Sequence, residues 1–536
     1  MKNVENNETR TTETVTISRV EYDEMKAQVD SLRGENAELS QQVQYLLEQM
    51  RLARKKQFGA SSEQSKYDAP EQLSLFNEAE FFADESSIEP ELVEIETHYR
   101  KKRSETKDSL PEDLPVETNE HFLPDDKQNC PKCGEPLHII GKTVQRRLKL
   151  IPAQGIIVED IYYTYSCRNC EKTGIEVPVI KAEIPNNVIK GSFATPEAVA
   201  HIMTQKFVMG SPLYRLEQEL KRNGIMLSRQ TMSNWLLKAS LDWLEPIYKR
   251  LYALLLLETV LHADETTLQV LHEDGKKAQT KSYMWLYRTS GCSERHIVLY
   301  DYQPDRKASR PKEFLEGFSG YLHADGYAGY HSLTENIAVV GCWAHARRKF
   351  DEALNGIPEK GRKDCAALTG KRYCDKLFAI EKELEKLTRE SRLEERQKQA
   401  KPVLDEFLSW LKSQTAAPKS GIGKAVYYTL GQWQYLERYL EDGRLEISNN
   451  RAERSIKPFV IDRKNFLFVN TPRGATGSAV MFSIIETAKE NGLNPYKYLA
   501  YVFREAPNMD SYDHQQLESL LPWNAPDECK IPNAET

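Results

Sequence analysis

The 536-residue sequence has no long apolar run, few cysteines and no excess of basic charge. Its most apolar stretch, Leu251 to Leu257, is far shorter than the roughly 20 residues that span a bilayer. The N-terminal Met1 to Val20 is polar and lacks the apolar centre of a secretory signal, so a cytoplasmic protein without membrane attachment is expected. Nine cysteines are too sparse for a disulfide scaffold, and in a reducing compartment they are thiols or metal ligands. Proline and glycine are not abundant enough for a collagenous or low-complexity chain. The length itself calls for several folded units.

Taken over the whole chain, the missing basic excess argues against a nucleic-acid partner, because the formal net charge is -7. Between Asn77 and Thr97, however, eight acids occur without a lysine or arginine, and the rest of the chain sums to +1. The negative charge is therefore a local feature and excludes little.

Tyr22, Met25, Val29, Leu32, Asn36, Leu39, Val43, Leu46 and Met50 alternate at steps of three and four, the seam of a heptad repeat. This predicts a coiled coil over 20–56, with Asn36 favouring a two-stranded register and a homodimer. The alternative is one amphipathic helix lying on its own core. Basic residues at the end of the seam, the acidic stretch and the cluster Arg100 to Arg103 read as a linker over 57–125.

Cys130 and Cys133, then Cys167 and Cys170, form two Cys-x-x-Cys knuckles. Four soft thiolates on tight turns suit structural tetrahedral zinc, and four protein ligands leave no position open for catalysis. A redox dithiol is the competing reading. The alternating stretch from Gly155 to Ser166 predicts strands of a zinc-binding ribbon within 126–190. Next, Thr195-Pro196 and Ser211-Pro212 are helix-start signals, and Asn223-Gly224 is a turn followed by Ser228, a cap. A helix-turn-helix module over 192–250 is expected, with Arg229, Gln230, Ser233 and Asn234 placed to read base edges; an ordinary helical hairpin is the alternative.

From Glu258 the pattern turns to strands. Asp264 and Asp325 follow similar strand-like contexts, Leu-His-Ala-Asp264 and Leu-His-Ala-Asp325. Neighbouring strand ends would bring these two hard carboxylates together, a donor set for Mg²⁺ or Mn²⁺. A third acid, Glu453, lies in a segment from Arg451 to Arg473 with six basic residues and only Asp462 as a further acid. An acid for metal inside a basic patch for phosphate is the requirement of a DNA-strand-cutting enzyme. A solvated basic helix with one paired glutamate is the plainer reading.

Taken in order, Leu-His-Ala-Asp264-Glu-Thr, Asp325-Gly-Tyr-Ala-Gly-Tyr330, Cys342-Trp-Ala-His345-Ala-Arg-Arg348 and Asn449-Asn-Arg-Ala-Glu453-Arg454 through Arg463-Lys-Asn-Phe-Leu-Phe468 resemble the transposases of the insertion-sequence-66 family. The resemblance extends to the N-terminal seam, Phe58 to Glu63, Leu73 to Glu78, the four-cysteine element and the C-terminal segment Glu486 to Leu499, expected as one helix. It implies a ribonuclease-H-like α/β catalytic core over 256–350 and 446–480, with Asp264, Asp325 and Glu453 as the catalytic, magnesium-binding triad. The interval of 128 residues from Asp325 to Glu453 implies a helical insertion over 351–445, and 481–536 would be a C-terminal helical segment. The implied chemistry is cleavage at a transposon end, then attack of the freed 3′-hydroxyl on target DNA, with no covalent protein intermediate.

The overall expectation is a bacterial, nucleoid-associated, multidomain α+β transposase that binds transposon ends and target DNA, with two small accessory proteins of the same element as further partners. Arg347, Arg348, Arg454, Lys457, Arg463 and Lys464 are the expected DNA contacts near the triad. Glu265 is set aside as a ligand because adjacent strand residues point to opposite faces. Cys342 and His345 are read as structural or DNA-contacting, and His262 and His323 as packing partners of the aspartates. A zipper-dimerised regulator and a ribonuclease-H-like nuclease without strand transfer remain open beside the transposase.

Overall fold

The computed structural model describes residues 18–33, 135, 154–167, 172, 179–333, 335–466, 469–509 and 514–532. The chain divides into a unit over 60–161, of which few residues are described, and a larger unit formed by the rest. Residues 19–33 are helical, and the described seam positions Tyr22, Met25, Val29 and Leu32 are exposed. The remaining seam positions, Asn36 among them, and Cys130, Cys133 and Cys170 lie outside the described residues.

The predicted ribbon strands are corrected. Residues 154–163 carry no ladder; of the predicted stretch, Thr164–Ser166, just before the second knuckle, is a strand, and it pairs antiparallel with Val179–Lys181, just after that knuckle. Alternation selects an extended backbone, but a strand also needs a partner in register.

The helical module begins at α1 (Pro196–Phe207), where Thr195 Oγ1 accepts the Ala198 N–H at 3.2 Å and Pro196 occupies the first turn. In α2 (Leu213–Arg222), Pro212 rather than Ser211 holds the cap position and no side chain caps the helix. The chain turns at Asn223-Gly224, where a φ of 78° requires glycine. It re-enters α3 (Arg229–Ala239) through Ser228, whose Oγ accepts the Thr231 N–H at 3.1 Å. Met232, Trp235 and Leu236 bury one face of α3. A π-turn over Ser240–Leu244 carries the chain into α4 (Glu245–Leu255).

Five strands follow: β1 (Val260–Gln269), β2 (Lys281–Thr289), β3 (Val298–Gln303), β4 (Gly320–His323) and β5 (Ile337–Val340). They form one sheet in the order β3-β2-β1-β4-β5, antiparallel through β3, β2 and β1 and parallel from β1 to β4 and β5. Strand periodicity divides their side chains between two cores. Leu261, Leu322 and Val339 join the core shared with α1, α3 and α4, while Val260 and Val340 join the core of the helices inserted before Glu453.

That second core contains α5 (Trp343–Asn355), α6 (Ala366–Leu384), α7 (Lys401–Ser413) and α8 (Gly421–Leu436). Leu377, Ile380 and Leu384 recur at helical spacing and are buried, whereas Leu387, in the same sequence pattern, lies past the end of α6 and is exposed. The buried Arg396 guanidinium fastens this region by bonding both Glu381 oxygens (2.8 and 2.6 Å) and the carbonyls of Tyr439, Asp442 and Leu445.

The chain returns to the sheet in α9 (Asn450–Phe466), then α10 (Pro472–Glu490) and α11 (Pro495–Glu505). The expected single helix over Glu486 to Leu499 is therefore two helices. Asn491-Gly492, with Gly492 at φ 70°, ends one, and Asn494 with Pro495 caps the next. The expected boundary at 480/481 falls inside α10, which belongs to the sheet: Ser483 Oγ accepts the Tyr300 N–H at 2.7 Å, and Thr487 Oγ1 exchanges bonds with Val298 N and O.

Candidate active site

Asp264 is in the middle of the central strand β1, and Asp325 lies two residues past the end of β4. The parallel register pairs His262 with His323, so two residues further along the same direction the two aspartates reach the same level. The paired imidazoles stack at 4.4 Å with an interplanar angle of 11°. Both are fully buried, and burial drives both toward the neutral form, His262 to about 4 and His323 well below its ordinary value.

Glu453 comes from the first turn of α9, and its position is set by Asn449, the residue before the helix. The Asn449 carbonyl accepts the Glu453 N–H at 3.2 Å. Its side chain does not cap the helix, the usual use of asparagine there, but reaches β1. Oδ1 lies 3.0 Å from His262 Nδ1, and Nδ2 donates to the Ala263 carbonyl at 2.8 Å. Its backbone N–H donates to Cys342 Sγ at 3.1 Å, and the Glu446 N–H donates to His323 Nε2 at 3.2 Å. One buried amide thus ties the helix carrying Glu453 to the strand carrying Asp264.

The acids are within each other's electrostatic reach. Burial pushes the Asp264 carboxyl well above the usual carboxylate range, and the neighbouring charges of Glu265, Asp325 and Glu453 raise it further against one backbone bond from the Glu265 N–H. Glu265 is also raised, by burial and then by Asp325, but its oxygens are engaged elsewhere. Arg306 Nε donates to Oε1 at 2.8 Å and the Tyr330 hydroxyl to Oε2 at 2.7 Å. Arg306 also lies 4.0 Å from the Tyr327 ring centroid, and the Tyr327 N–H donates to Asp325 Oδ1 at 2.9 Å, so the clamp on Glu265 steadies the Asp325 loop. Gly326 is required there, because a Cβ would meet the Tyr428 ring at 2.9 Å.

Hard oxygen donors, mutual repulsion and a buried Glu453 Oε1 without a hydrogen-bond partner fit a divalent cation held by Asp264, Asp325 and Glu453. Among the described residues, the group of three whose ligand atoms all lie within 4.8 Å is a different one, Cys342, His345 and Glu453.

The remaining expected residues divide by environment. Arg229, Gln230 and Asn234 are exposed at the start and outer face of α3, and Ser233 is half-buried. Arg454 and Lys464 are exposed on α9, with Lys457 half-buried. Arg463 turns inward, donating to Thr266 Oγ1 and Thr267 Oγ1 on β1 at 3.1 and 2.9 Å. Arg347 bonds Asp375 at 2.5 Å, and Arg348 lies 3.5 Å from Glu453 Oε2. Cys167 is half-buried. Asn449 was visible only as part of the string Asn449 to Arg454, and the Arg306–Glu265–Tyr330 clamp was not visible as a site feature.

The fold and site define a multidomain α+β protein that gathers acids beside the central strands of one sheet. Residues 191–477, more than half of the chain, match the family model described as Transposase IS66 family, and the chain belongs to that family. Residues 483–523 match the IS66 C-terminal element, and 45–118 match a region described as Transposase C of IS166 homeodomain. Residues 127–171 match the zinc-finger binding domain of transposase IS66, which covers all four knuckle cysteines and supports structural zinc. Among curated relatives, the uncharacterized protein y4jD of Sinorhizobium fredii is 32% identical, covering 77% of this chain and 81% of its own length. The uncharacterized y4hP of the same organism is 31% identical over 74% of this chain and 73% of the relative. Among the described residues, no helix is long and apolar enough to cross a membrane.

Proposed function

We propose that this chain cuts the ends of its transposon and joins the freed 3′-hydroxyl to target DNA, using Asp264, Asp325 and Glu453 as the acidic triad of a ribonuclease-H-like core. The observation that carries the reading is the sheet order β3-β2-β1-β4-β5, with the first acid on the central strand and the second just past its parallel neighbour. The third acid is delivered by a helix that Asn449 ties to that central strand.

The three carboxylates would hold Mg²⁺ or Mn²⁺. When bound, the metal supplies polarisation of the scissile phosphate and activation of water or a 3′-hydroxyl. The protein's own part is placement. Asn449 fixes the start of α9 against β1, and the Glu265 clamp fixes the Asp325 loop. Arg454, Lys457 and Lys464 are available to hold phosphates beside the acids. Arg348, beside Glu453, balances its charge until substrate arrives. The exposed N-terminal residues of α3 would read the transposon end. The seam over 20–56 would pair two copies, the four cysteines would hold zinc, and two accessory proteins of the same element would assist. The setting is the bacterial nucleoid.

The test is a joining assay with a labelled transposon end, target plasmid and Mg²⁺. Wild type should nick the end and yield a joined product. Asp264→Asn and Glu453→Gln should bind the end and do neither. A triad variant that cleaves like wild type would sink the assignment, and nicking without joining would favour the nuclease reading.

A further inference from the structure

Among the described residues, the three ligands whose donor atoms all lie within 4.8 Å of one another are not the three acids but Cys342, His345 and Glu453. Its placement follows from local structure. Cys342 is the cap of α5 and His345 is three residues on, so both side chains lie over the same side of the first turn. Trp343 N–H donates to the Ile447 carbonyl at 3.1 Å and Asn449 N–H donates to Cys342 Sγ at 3.1 Å, which draws the chain just before Glu453 alongside that turn.

The three donors are poorly satisfied without a further partner. His345 Nδ1 and Glu453 Oε1 face each other at 3.6 Å, and both are buried atoms with no hydrogen-bond partner. That distance is too long for an N–H···O bond in one tautomer, and in the other it sets two lone pairs against each other. The Cys342 sulfur is buried and receives backbone hydrogen bonds from Asn449, His345 and Ala344. Several N–H groups aimed at one sulfur favour a thiolate, although burial holds the thiol at about 12. Burial also favours the neutral imidazole that a metal ligand must be.

We propose that Cys342, His345 and Glu453 form a second metal site, separate from the four-cysteine element, which takes Zn²⁺ and thereby withdraws Glu453 from Asp264 and Asp325. One sulfur, one imidazole nitrogen and one carboxylate oxygen are a zinc donor set with a fourth position left for water. Mg²⁺ demands oxygen ligands and would not take the sulfur and the imidazole. The two sites share Glu453 and cannot both use it, so zinc acts as an inhibitor. Arg348, 3.5 Å from the other Glu453 oxygen, opposes a second positive charge and keeps the site weaker than a closed four-cysteine site. The site itself stands on its own geometry; its inhibitory effect rests on the triad reading above.

The test uses the full-length protein. Zinc per chain is measured after equilibration with Zn²⁺ and desalting, and Co²⁺ substitution is followed by its thiolate charge-transfer band. Wild type should retain two zinc ions, and Cys342→Ser and His345→Gln one each, with melting in zinc-free buffer reporting whether each variant folds. His345→Gln changes a side chain that is 22% exposed, less deeply buried than Cys342, and serves if Cys342→Ser does not fold. In the Mg²⁺ cleavage assay, each variant compared with its own zinc-free rate should need at least about tenfold more Zn²⁺ for half-inhibition, since losing even a residue that only supports a ligand costs that much affinity. Equal zinc content in wild type and folded variants overturns the site. A lost zinc with unchanged zinc inhibition overturns the withdrawal of Glu453. Should Asp264→Asn cleave normally, the triad reading fails while the zinc count still decides the site.

Discussion

The core around the acids and the helical insertion both bury polar groups, but they satisfy them differently. In the insertion, Arg396 is a full charge at 0% exposure, and it has both Glu381 oxygens and three carbonyls as partners. Around the acids, burial drives the imidazoles of His262, His323 and His345 toward the neutral form, and polar atoms are left without partners. His262 Nε2, His323 Nδ1, His345 Nδ1 and Glu453 Oε1 all lack a hydrogen-bond partner. Within 351–445 the described residues show a single such atom, the Tyr439 hydroxyl. A buried polar atom without a partner is costly, so these four atoms at residues around the acids, against one in the insertion, mark a region arranged for something other than its own stability.

The sharpest way to break this contrast is to remove an acid. Asp264→Asn or Glu453→Gln should lower end cleavage by at least about 10³-fold, roughly 4 kcal/mol in the barrier. Asp264→Asn should also melt at a higher temperature than wild type at pH 7. The Asp264 carboxyl holds its proton more tightly folded than unfolded, so wild-type stability is lost as pH rises above the unfolded value, and asparagine escapes that loss. The difference should shrink as pH falls toward 4, where the unfolded aspartate is also protonated. Melting curves across that window check it, and an Asp264→Asn melting temperature at or below wild type at pH 7 would contradict the raised proton affinity.

On the insertion side the expectation reverses. Arg396→Ala leaves Glu381 buried without its cation and should cost about 3–5 kcal/mol locally, read as faster hydrogen exchange across α6 and α7. Arg396→Met fills the space but still strands the carboxylate, so Arg396→Met with Glu381→Leu should recover part of the loss. Protection unchanged in Arg396→Ala would show that the clamp does not hold the insertion together.

Asn449 tests the boundary between the two behaviours. Asn449→Ala removes the bonds to His262 and Ala263, and a cavity with two stranded polar groups should cost about 2 kcal/mol. Displacing Glu453 by a fraction of an ångström should lower cleavage further, by about 10²-fold. Asn449→Asp keeps the shape but loses the donor to Ala263, so cleavage between wild type and Asn449→Ala is expected. Equal rates for all three proteins at matched folded fraction would remove Asn449 from the positioning of Glu453.

How much of this was readable in the sequence follows from the range of each interaction. Thr195, Ser228 and the turn at Asn223-Gly224 act within four residues, and the structure places them as the local code predicts. The matching contexts before Asp264 and Asp325 likewise translate into a shared register, because strand periodicity is local and pairing repeats it. What was not readable depends on partners far along the chain. Arg463 carries the charge of a phosphate contact but is held by Thr266 and Thr267, nearly 200 residues away. Asn449 stands just before a helix, yet its side chain bonds a strand 186 residues earlier. The break at Gly492 was readable in principle, since Asn-Gly followed by Asn-Pro is a stop and start signal, but the family resemblance treats the segment as one helix.

The edge of the sheet offers the mildest test of the same contrast. Strand β3 is an edge, and an edge exposes backbone donors that invite further pairing. Here α10 covers it: Ser483 and Thr487 hydroxyls take the N–H groups of Tyr300 and Val298, and Thr487 also donates to the Val298 carbonyl. The hydroxyls therefore act like the Arg396 clamp, closing backbone groups rather than leaving them open, although they lie in the core that carries the acids. Thr487→Val preserves the side-chain shape and removes both bonds to the strand, so a loss of about 1–2 kcal/mol is expected, more than for Ser483→Ala, which removes one bond to the strand and a bond to the Ala479 carbonyl within its own helix, an acceptor the helix ladder already uses. The two positions are one helical turn apart and serve the same strand, so the double variant should depart from additivity. Cleavage per folded molecule should not change, because neither residue touches the acids or Asn449. Thermal melting and the single-turnover cleavage rate measure the two halves separately, and a fall in rate without a fall in stability would mean that α10 reaches the acids through β3.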